Sequence, residues 1–244
     1  MDWHRRYLQQ AGWTASLRAH LFQKAGLGTT DRVLDLGCGT GALLTNFPAR
    51  TRLHGLDLSL PAVQQAKSHA PGAALVCADG LALPYPAATF DLCFCHFVLL
   101  WVADPLRVVA EMRRVTRPGG WVLALAEPDY GGRVDYPSEL AALGQWQSAA
   151  LRHQGANPEV GRQLAGIFLQ AGLTQVETGV LGGEWRHPAP PGETELEWEV
   201  LAADLAGKVP AADLQKLKEI DQKAWETGQR VLFVPTFYAA GLKP

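Results

Sequence analysis

A glycine-rich segment, Gly37-Cys38-Gly39-Thr40-Gly41, directly follows the short apolar strand predicted at Arg32–Leu36. Asp35 lies at the carboxyl end of that strand, and a helix is predicted over Ala42–Phe47. Glycines at alternate positions let the main chain approach a ligand closely, and the free N–H groups of a helix N-terminus point towards it. This arrangement indicates a binding site for a nucleotide-type cofactor.

Two classes of cofactor fit this loop. Gly37, Gly39 and Ala42 match the looser form of the dinucleotide fingerprint. Asp57, twenty residues after Gly37 and at the end of the second predicted strand, suits a ribose diol. By themselves these features do not separate NAD from other adenosine cofactors.

Three further features separate them. The Asp35 carboxylate would repel a pyrophosphate but suits a ligand that carries an ammonium group. Asp79 follows the third predicted strand, where a carboxylate can bind an adenine amino group. The chain has no Y-x-x-x-K sequence, which a short-chain dehydrogenase of this length would need. Together they favour a cofactor with an ammonium group over a dinucleotide.

The elements that position these residues alternate between strand and helix. The predicted strands are Arg32–Leu36, Leu53–Asp57, Ala74–Ala78, Phe90–Cys95, Trp121–Ala126, Gln175–Leu181 and Val231–Tyr238. The first five have helices between them, which predicts parallel pairing with right-handed crossovers. No crossover unit precedes the last strand, so it can be antiparallel. The sequence therefore predicts an α/β fold.

Helices are predicted around these strands from apolar spacing and capping residues. They are residues 13–25, a helix that Ser59 begins, one capped by Asp104-Pro105 that runs to about Thr116, Pro137–His153, Pro158–Ala171 with Asn157 as cap, and Ala212–Trp225. A Pro- and Glu-rich insertion is predicted at residues 184–200.

The ordered motifs D-L-G-C-G-T-G, L-D-L-S, A-D-G-L-A-L-P-Y, F-D-L-C-F-C-H and R-P-G-G-W-V-L resemble the class I S-adenosylmethionine-dependent methyltransferases. The small-molecule "type 11" branch, which includes quinone-biosynthesis-like enzymes, is the most similar. The resemblance covers roughly residues 30–127. It implies a Rossmann-like, doubly wound sheet of seven strands, mostly parallel with an antiparallel last strand, and helical insertions that form a lid.

The resemblance also implies a division of the chain. Residues 1–244 are expected to form a single methyltransferase domain, with residues 1–29 as an N-terminal helical lid. Residues 30–127 would bind the cofactor, S-adenosylmethionine, which leaves as S-adenosylhomocysteine. Residues 128–244 would form the acceptor side, with insertions at about 131–158 and 184–228.

Residue roles follow by position from the same resemblance. Asp35 would face the methionine ammonium, Asp57 the ribose hydroxyls and Asp79 the adenine amino group. The remaining predicted cofactor contacts are Gly37, Cys38, Gly39, Gly41, Leu58, Gly80, Leu81, His96 and Tyr7. Each aspartate has a structural alternative, since Asp also caps helices and forms turns.

His96 follows the fourth strand directly and is the weak candidate for a catalytic base. A base is needed only where the acceptor must first lose a proton. The alternatives for His96 are a cofactor contact and a packing role.

The acceptor side carries no recognisable motif. Its candidate residues are Glu127, Asp129, Tyr130 and Arg133, which begin where the fifth strand ends. Ligands of open α/β sheets bind outside such strand ends, although a solvated turn explains the same residues. Tyr7 and Trp3 are candidate lid residues, and Trp146, Trp185 and Trp198 are candidate walls of an acceptor cavity, with ordinary packing as the alternative in each case.

Composition narrows the function further. The formal net charge is -2 and no basic run exceeds two residues, which disfavours a nucleic-acid partner. The four cysteines form no CxxC pair, so we expect core packing rather than a disulfide framework or a metal site. No apolar run is long enough to span a bilayer, so the sequence predicts a cytoplasmic protein without membrane contact, as a monomer or homodimer.

The sequence thus predicts a methyltransferase that acts on a small organic acceptor. Two alternatives remain, a methyltransferase for RNA or protein and a binding protein that has lost catalysis.

Overall fold

The computed structural model describes residues 2–28, 31–45, 47–48, 50–183 and 192–244. Its strands are β1 (Arg32–Leu36), β2 (Arg52–Asp57), β3 (Ala74–Cys77), β4 (Phe90–Cys95), β5 (Thr116–Pro128), β6 (Val134–Tyr136), β7 (Thr174–Leu181), β8 (Val231–Phe233) and β9 (Thr236–Leu242). Its α-helices are α1 (Trp3–Trp13), α2 (Ala15–Lys24), α3 (Leu60–His69), α4 (Pro105–Val115), α5 (Ala141–His153), α6 (Leu164–Gln170), α7 (Glu193–Leu205) and α8 (Ala211–Glu226).

Seven of the described strands form one sheet in the order β3-β2-β1-β4-β5-β9-β7. The pairings from β3 to β5 are parallel, whereas β9 runs antiparallel to both β5 and β7. The expected α/β fold with an antiparallel last strand is confirmed. The strand order reverses between β1 and β4, and ligands of such sheets bind outside the carboxyl ends at that point.

β1 and β4 are buried on both faces of the sheet. Leu34 and Cys93 belong to the apolar cluster on one face, and Val33 and Phe94 to the cluster on the other. Successive side chains of a strand point to opposite faces, so a continuous apolar run is what a fully covered parallel strand requires. Three cysteines are buried as expected of core residues, whereas Cys77 is exposed.

The last predicted strand, Val231–Tyr238, is in fact two strands. β8 pairs with β6 in a separate two-stranded sheet, and β9 enters the main sheet. The break falls at Val234-Pro235, because proline has no N–H for a strand ladder and its ring restricts the residue before it.

Two helix predictions also need correction. The helix expected at residues 13–25 is the second of two, since α1 ends at Trp13 and Thr14 separates it from α2. The segment predicted as the helix Ala42–Phe47 has no helix in its described part: residues 42–45 form turns and residue 47 a bend. Pro48 disfavours helical backbone at the residue before it, and the segment left over is too short to offset the cost of helix nucleation.

A helix that the sequence did not predict, α7, lies in the insertion assigned to residues 184–200. Three of its apolar side chains, Trp198, Leu201 and Leu205, pack with residues of α5 and α8 in one cluster. Residues 184–191, including Trp185, lie outside the described residues. α5, α7 and α8 pack on one another, and residues of each line a cavity on the acceptor side. Among the described residues, no helix combines the length and apolar character that crossing a bilayer requires.

Candidate functional site

A cavity of about 1410 Å³ opens at the carboxyl ends of β1, β2 and β4, and residues of α1 and α7 also line it. Eleven predicted site residues line this cavity: Tyr7, Asp35, Gly37, Cys38, Gly39, Asp57, Leu58, Asp79, Gly80, His96 and Tyr130. Five others lie outside the lining: Gly41, Leu81, Glu127, Asp129 and Arg133. The structure thus brings most of the candidate cofactor residues together, and their ligand contacts stay predictions.

Asp35 is the most unusual of these residues. Its side chain is 1% exposed, and neither carboxylate oxygen has a hydrogen-bond partner in the structure. Burial, with the nearby charge of Asp57, raises the pKa of Asp35 to about 8, and the Arg18 guanidinium opposes that rise. A buried carboxyl group without a partner is costly to the fold, so its position at the cavity indicates a role in binding.

The glycine loop follows Asp35 and leaves no room for side chains at two positions. Gly37 has φ +74°, and a Cβ there would lie 2.3 Å from Val98 Cγ2. Gly39 has φ +51°, and a Cβ there would lie 3.1 Å from the Tyr7 ring. Both main-chain positions therefore need glycine for conformation and for space.

Gly37→Ala is expected to lower the free energy of unfolding by about 2–4 kcal/mol, because a left-handed residue with a Cβ is combined with overpacking against Val98. Chemical denaturation of both proteins would measure the change. Gly72→Ala is the matched control, since a Cβ at Gly72 meets nothing within 4 Å. Equal stability of the two variants would contradict the packing argument.

Asp57 and Asp79 follow neighbouring strands and orient the loops around them. Asp57 accepts hydrogen bonds from Gly39 N at 2.8 Å and from Ser59 N at 2.9 Å. Asp79 Oδ1 accepts one from Leu81 N at 2.9 Å. Two carboxylate oxygens offer about four acceptor sites, so both side chains retain capacity for a ligand's hydroxyl or amino groups. These aspartates thus orient their own loops, and their predicted ligand contacts stay predictions.

Leu58, between Asp57 and Ser59, is 73% exposed although it is apolar. It lines the cavity beside Asp57, where the resemblance places the adenine ring. A flat aromatic ligand would cover this side chain.

α1 lies against the glycine loop through a pair of histidines. The His4 and His69 rings stack at 3.5 Å, with His4 Nδ1 2.7 Å from Thr40 Oγ1 and His69 Nδ1 2.9 Å from the Thr40 carbonyl oxygen. Burial lowers the pKa of His4, the charge of His69 lowers it further, and Asp2 opposes both. α1 is thus attached to the loop through His4, whose lowered pKa favours the neutral imidazole.

Acidification is expected to loosen α1. The pKa of His4 is lower in the folded state than its ordinary value of 6.5, so the folded state binds fewer protons. The stabilisation that His4 gives to α1 is complete above pH 6.5, the ordinary pKa, and is lost as the pH falls below the lowered pKa of the folded state. Hydrogen-exchange protection of residues 3–13, compared at neutral pH and at about pH 5, would measure this.

His4→Gln should abolish the pH dependence of that protection, because glutamine does not titrate in this range. His20→Gln is the matched control, since His20 is exposed and has no part in the stack. Unchanged protection of α1 in the unsubstituted protein at both pH values would contradict the role of His4.

His96 lies under the junction of α1 and α2. His96 Nε2 is 3.1 Å from Thr14 Oγ1, which also accepts a hydrogen bond from Arg18 Nη1 at 2.5 Å. Burial, reinforced by the Arg18 charge, lowers the pKa of His96 to about 3. The imidazole is therefore neutral at ordinary pH and is a weak proton acceptor. Sequence reasoning did not single out Thr14 or Arg18, because their proximity to His96 is a tertiary contact.

Comparisons with known proteins agree with this geometry. Residues 34–124, from β1 to β5, match the family model described as "Methyltransferase domain". Residues 34–124 are a methyltransferase domain.

Relatives of this domain carry the same description. An uncharacterized methyltransferase of Schizosaccharomyces pombe is 32% identical over 157 residues, which are 58% of this chain and 56% of that protein. A malonyl-[acyl-carrier protein] O-methyltransferase of Erwinia pyrifoliae is 36% identical over 124 residues, 49% of this chain and 46% of that protein. The chain spans about half the length of the curated relatives that it matches.

The crystal structure of a putative methyltransferase from Bacillus halodurans has the same fold. The two structures superpose with a TM-score of 0.63 and are 16% identical in sequence, and the match covers 93% of this chain and 98% of the Bacillus halodurans chain. This likeness concerns the fold; the family match over residues 34–124 confirms the resemblance to methyltransferases.

Glu127 is the penultimate residue of β5, and its side chain holds the loop after β4. The side chain is fully buried, and its carboxylate accepts hydrogen bonds from Val98 N and Leu99 N at 2.9 Å and from Leu100 N at 3.2 Å. Burial raises its pKa to about 7, although these three donors favour the charged form. Its position fits a loop support, and its predicted acceptor contact is untested.

Asp129 and Arg133 are also engaged by the protein. The Asp129 carboxylate accepts two hydrogen bonds from Arg162, one from Nε and one from Nη2, each at 2.6 Å. Arg133 pairs with Asp135 at 2.6 Å, and both side chains are 2% exposed. Tyr130, between Asp129 and Arg133, lines the cavity beyond the methyltransferase domain.

Arg230, Asp221 and Asp135 form a buried ion cluster on the acceptor side, next to the predicted wall residue Trp198, and none of the three is among the sequence-based candidates. Arg230 Nε donates to Asp221 Oδ1 at 2.5 Å and Arg230 Nη2 to Asp135 Oδ1 at 2.8 Å. Trp198 Nε1 donates to Asp221 Oδ2 at 2.8 Å. Arg230, Asp221 and Trp198 line the cavity next to the methyltransferase domain. Arg230, Asp221 and Asp135 could not be identified as a cluster from the sequence, because they form no motif and Asp135 is distant from the other two in the chain.

Proposed function

We propose that this chain transfers the methyl group of S-adenosylmethionine to a small organic acceptor. The observation that carries the proposal is the buried Asp35 carboxylate, which lines the cavity and has no partner within the protein. A carboxylate in this position suits a ligand ammonium, which S-adenosylmethionine carries and a pyrophosphate does not. The methyltransferase domain supports the choice of cofactor.

The residues at the cavity fit that cofactor. Asp35 would pair with the methionine ammonium, and the loop from Gly37 to Gly41 would lie against the methionine and ribose. Asp57 would accept the ribose hydroxyls, Asp79 the adenine amino group, and Leu58 would cover the adenine ring. When bound, S-adenosylmethionine supplies a methyl group activated by a positively charged sulfur.

The protein's own contribution is orientation and exclusion of water. A reaction that needs little covalent help gains most from positioning, which is worth the equivalent of about 10⁵–10⁸ M in effective concentration. Tyr7 and the α1 helix cover the glycine loop, and the apolar residues of α7 face the same cavity. His96 is neutral and a weak base, so we propose that it contacts the ligands rather than removing a proton.

A small acceptor is favoured over RNA by the charges of the cavity wall. Arg6 pairs with Glu197 at 3.0 Å, and Arg230 pairs with Asp221 and Asp135. These arginines are neutralised within the protein and do not form the basic surface that phosphate groups need. The name of the malonyl-[acyl-carrier protein] relative describes a small acceptor carried on a protein, and for this chain it supports the acceptor's size class only.

Calorimetry would test the cofactor. S-Adenosylmethionine and S-adenosylhomocysteine are expected to bind, and NAD is not. Because Asp35 is largely protonated at neutral pH, pairing with the ammonium should release about one proton per ligand near pH 7. Titrations in buffers of different ionisation enthalpy measure that proton. Methylthioadenosine, which lacks the amino acid, is the matched control and should release none.

Transfer of a labelled methyl group to pools of metabolites, RNA and proteins would test the acceptor class. A labelled metabolite is expected. Labelled RNA or protein alone would replace the small acceptor, and no labelled product from a protein that binds the cofactor would favour the binding-only alternative. Tight NAD binding without S-adenosylmethionine binding would overturn the proposal as a whole.

A further inference from the structure

One face of α7 forms a wall of the cavity. Glu197 and Asp204 are seven positions apart, two helical turns, and therefore lie on the same side of the helix. Both line the cavity, and so does the buried side chain of Leu201 between them. α7 thus presents two carboxylates and an apolar group to the space where an acceptor would lie.

The two carboxylates have partners of different charge. Glu197 Oε2 lies 3.0 Å from Arg6 Nη1. Asp204 accepts hydrogen bonds from Gln147 Nε2 at 2.9 Å and from Gln154 Nε2 at 3.2 Å. Both donors are neutral side-chain amides, Gln147 within α5 and Gln154 directly after it, so they orient the Asp204 carboxylate without cancelling its charge.

The cationic side chains of the cavity wall do not neutralise Asp204. Arg6 forms an ion pair with Glu197, and Arg230 forms ion pairs with the buried Asp221 and Asp135. The Lys208 ammonium donates at 3.0 Å to the main-chain oxygen of Asp204 and is exposed. Across the described ranges, the Asp204 carboxylate has neutral hydrogen-bond donors and no ion-pair partner.

Two aromatic side chains lie on the same wall of the cavity as Asp204. Tyr130 and Trp198 line the cavity, and the bond from Trp198 Nε1 to Asp221 Oδ2 at 2.8 Å fixes the indole. Burial raises the pKa of Tyr130 to about 12; the charges of Glu197 and Asp204 add to the rise, and those of Arg133 and Arg6 oppose it. Ring faces attract cations, so an oriented carboxylate near aromatic rings selects a cationic group.

We propose that the acceptor carries a protonated amine that pairs with Asp204, on an apolar body that lies against α7. A protonated nitrogen has no lone pair with which to attack a methyl group. The amine is therefore a recognition group, and the methyl-accepting atom is a different atom of the same molecule. The inference rests on the proposed function only in calling this ligand the acceptor.

Binding of three probes with the same apolar chain would test the site without any methyl transfer. They are octylamine, octanol and octanoate, which at neutral pH carry a positive, no and a negative charge. Tryptophan fluorescence, with S-adenosylhomocysteine present and absent, would give the dissociation constants. Octylamine is expected to bind roughly 10- to 100-fold more tightly than the other two, the range of a charge-assisted hydrogen bond.

Asp204→Asn should remove that preference, because the amide keeps the shape of the side chain and loses its charge. Asp213→Asn, at an exposed aspartate on α8, is the matched control and should retain it. Thermal unfolding of each variant would confirm that it folds. If Asp204→Asn does not fold, the comparison of octylamine with octanol and octanoate in the unsubstituted protein still decides the test.

Three outcomes would overturn the inference: octanoate binding as tightly as octylamine, an unchanged preference in Asp204→Asn, or no binding of any probe. The first would favour a carboxylate acceptor such as the malonyl group in the relative's name. A preference for octylamine in a protein that fails to bind S-adenosylmethionine would retain the amine site and reject the proposed methyl transfer.

Discussion

Asp35→Asn is expected to give a protein that is more stable than the unsubstituted chain and no longer binds S-adenosylmethionine tightly. Asp35 must take up a proton on folding at neutral pH, whereas an amide does not ionise, so the substitution should raise the free energy of unfolding by about 1–3 kcal/mol. For a chain of this size, that corresponds to roughly 2–10 °C in Tm. The lost ion pair with the ligand ammonium should weaken binding by at least about 30-fold.

The stabilisation should depend on pH in a defined direction. The pKa of Asp35 is about 8 in the folded state against an ordinary value of 3.8, so the folded state binds more protons. Its cost to stability therefore grows as the pH rises between those values. Denaturation at about pH 5 and at about pH 8 should show the larger gain for Asp35→Asn at the higher pH.

Asp57→Asn is the matched comparison, in the same cavity and with the same chemical change. The Asp57 oxygens accept hydrogen bonds from Gly39 N and Ser59 N, and an amide can replace only one of these acceptors. We expect this variant to lose stability as well as affinity. Asp35→Asn would contradict the binding role if it bound S-adenosylmethionine within about threefold of the original affinity.

Arg230→Met is expected to lower the free energy of unfolding by about 3–5 kcal/mol, because it leaves charges buried without their partner. Arg230 is 2% exposed and bonds to Asp221 and Asp135 as well as to the carbonyl oxygens of Tyr136 and Val231. Methionine fills a similar volume and provides none of these donors. Thermal unfolding should show a fall in Tm of roughly 6–20 °C.

Arg162→Met is the matched control for this substitution. Arg162 also makes two short bonds to one aspartate, yet its side chain is 49% exposed, and such pairs contribute about 0–1 kcal/mol. Equal losses in the two variants would show that the Arg230 cluster is no more important than a surface pair. We expect Arg230→Met to raise the KM for the acceptor more than the Kd for S-adenosylmethionine, because the cluster borders α8 and β8 rather than β1.

The cofactor side of the site was predictable because its signals are local in the chain. Asp35 and Asp57 lie at the carboxyl ends of β1 and β2, and Asp79 follows β3. Parallel strands bring their carboxyl ends to one edge of the sheet. The expected helix after Gly41 was wrong for a local reason, the proline at residue 48. The β8 and β9 strands were predicted as one because their apolar residues are almost continuous across Val234-Pro235.

The acceptor side was not predictable in the same way. α7 lies in a segment whose Pro and Glu content suggested an insertion, and its helix is stabilised by packing against α5 and α8. Its carboxylates show no motif, and only the fold decides that Glu197 meets Arg6 whereas Asp204 meets two glutamines. The low pKa of His96 likewise depends on burial beneath Thr14 and Arg18.

The sequence by itself determined the sheet, the glycine loop and the three aspartates at strand ends, because hydrophobic periodicity and turn chemistry act over short stretches. The tertiary structure alone decided which charges are paired and which are not. Ion pairs and desolvation depend on distances between residues far apart in the chain, such as Asp135 and Arg230. The unpartnered carboxylate of Asp35 is the clearest case, since the sequence places it and only the fold leaves it without a partner.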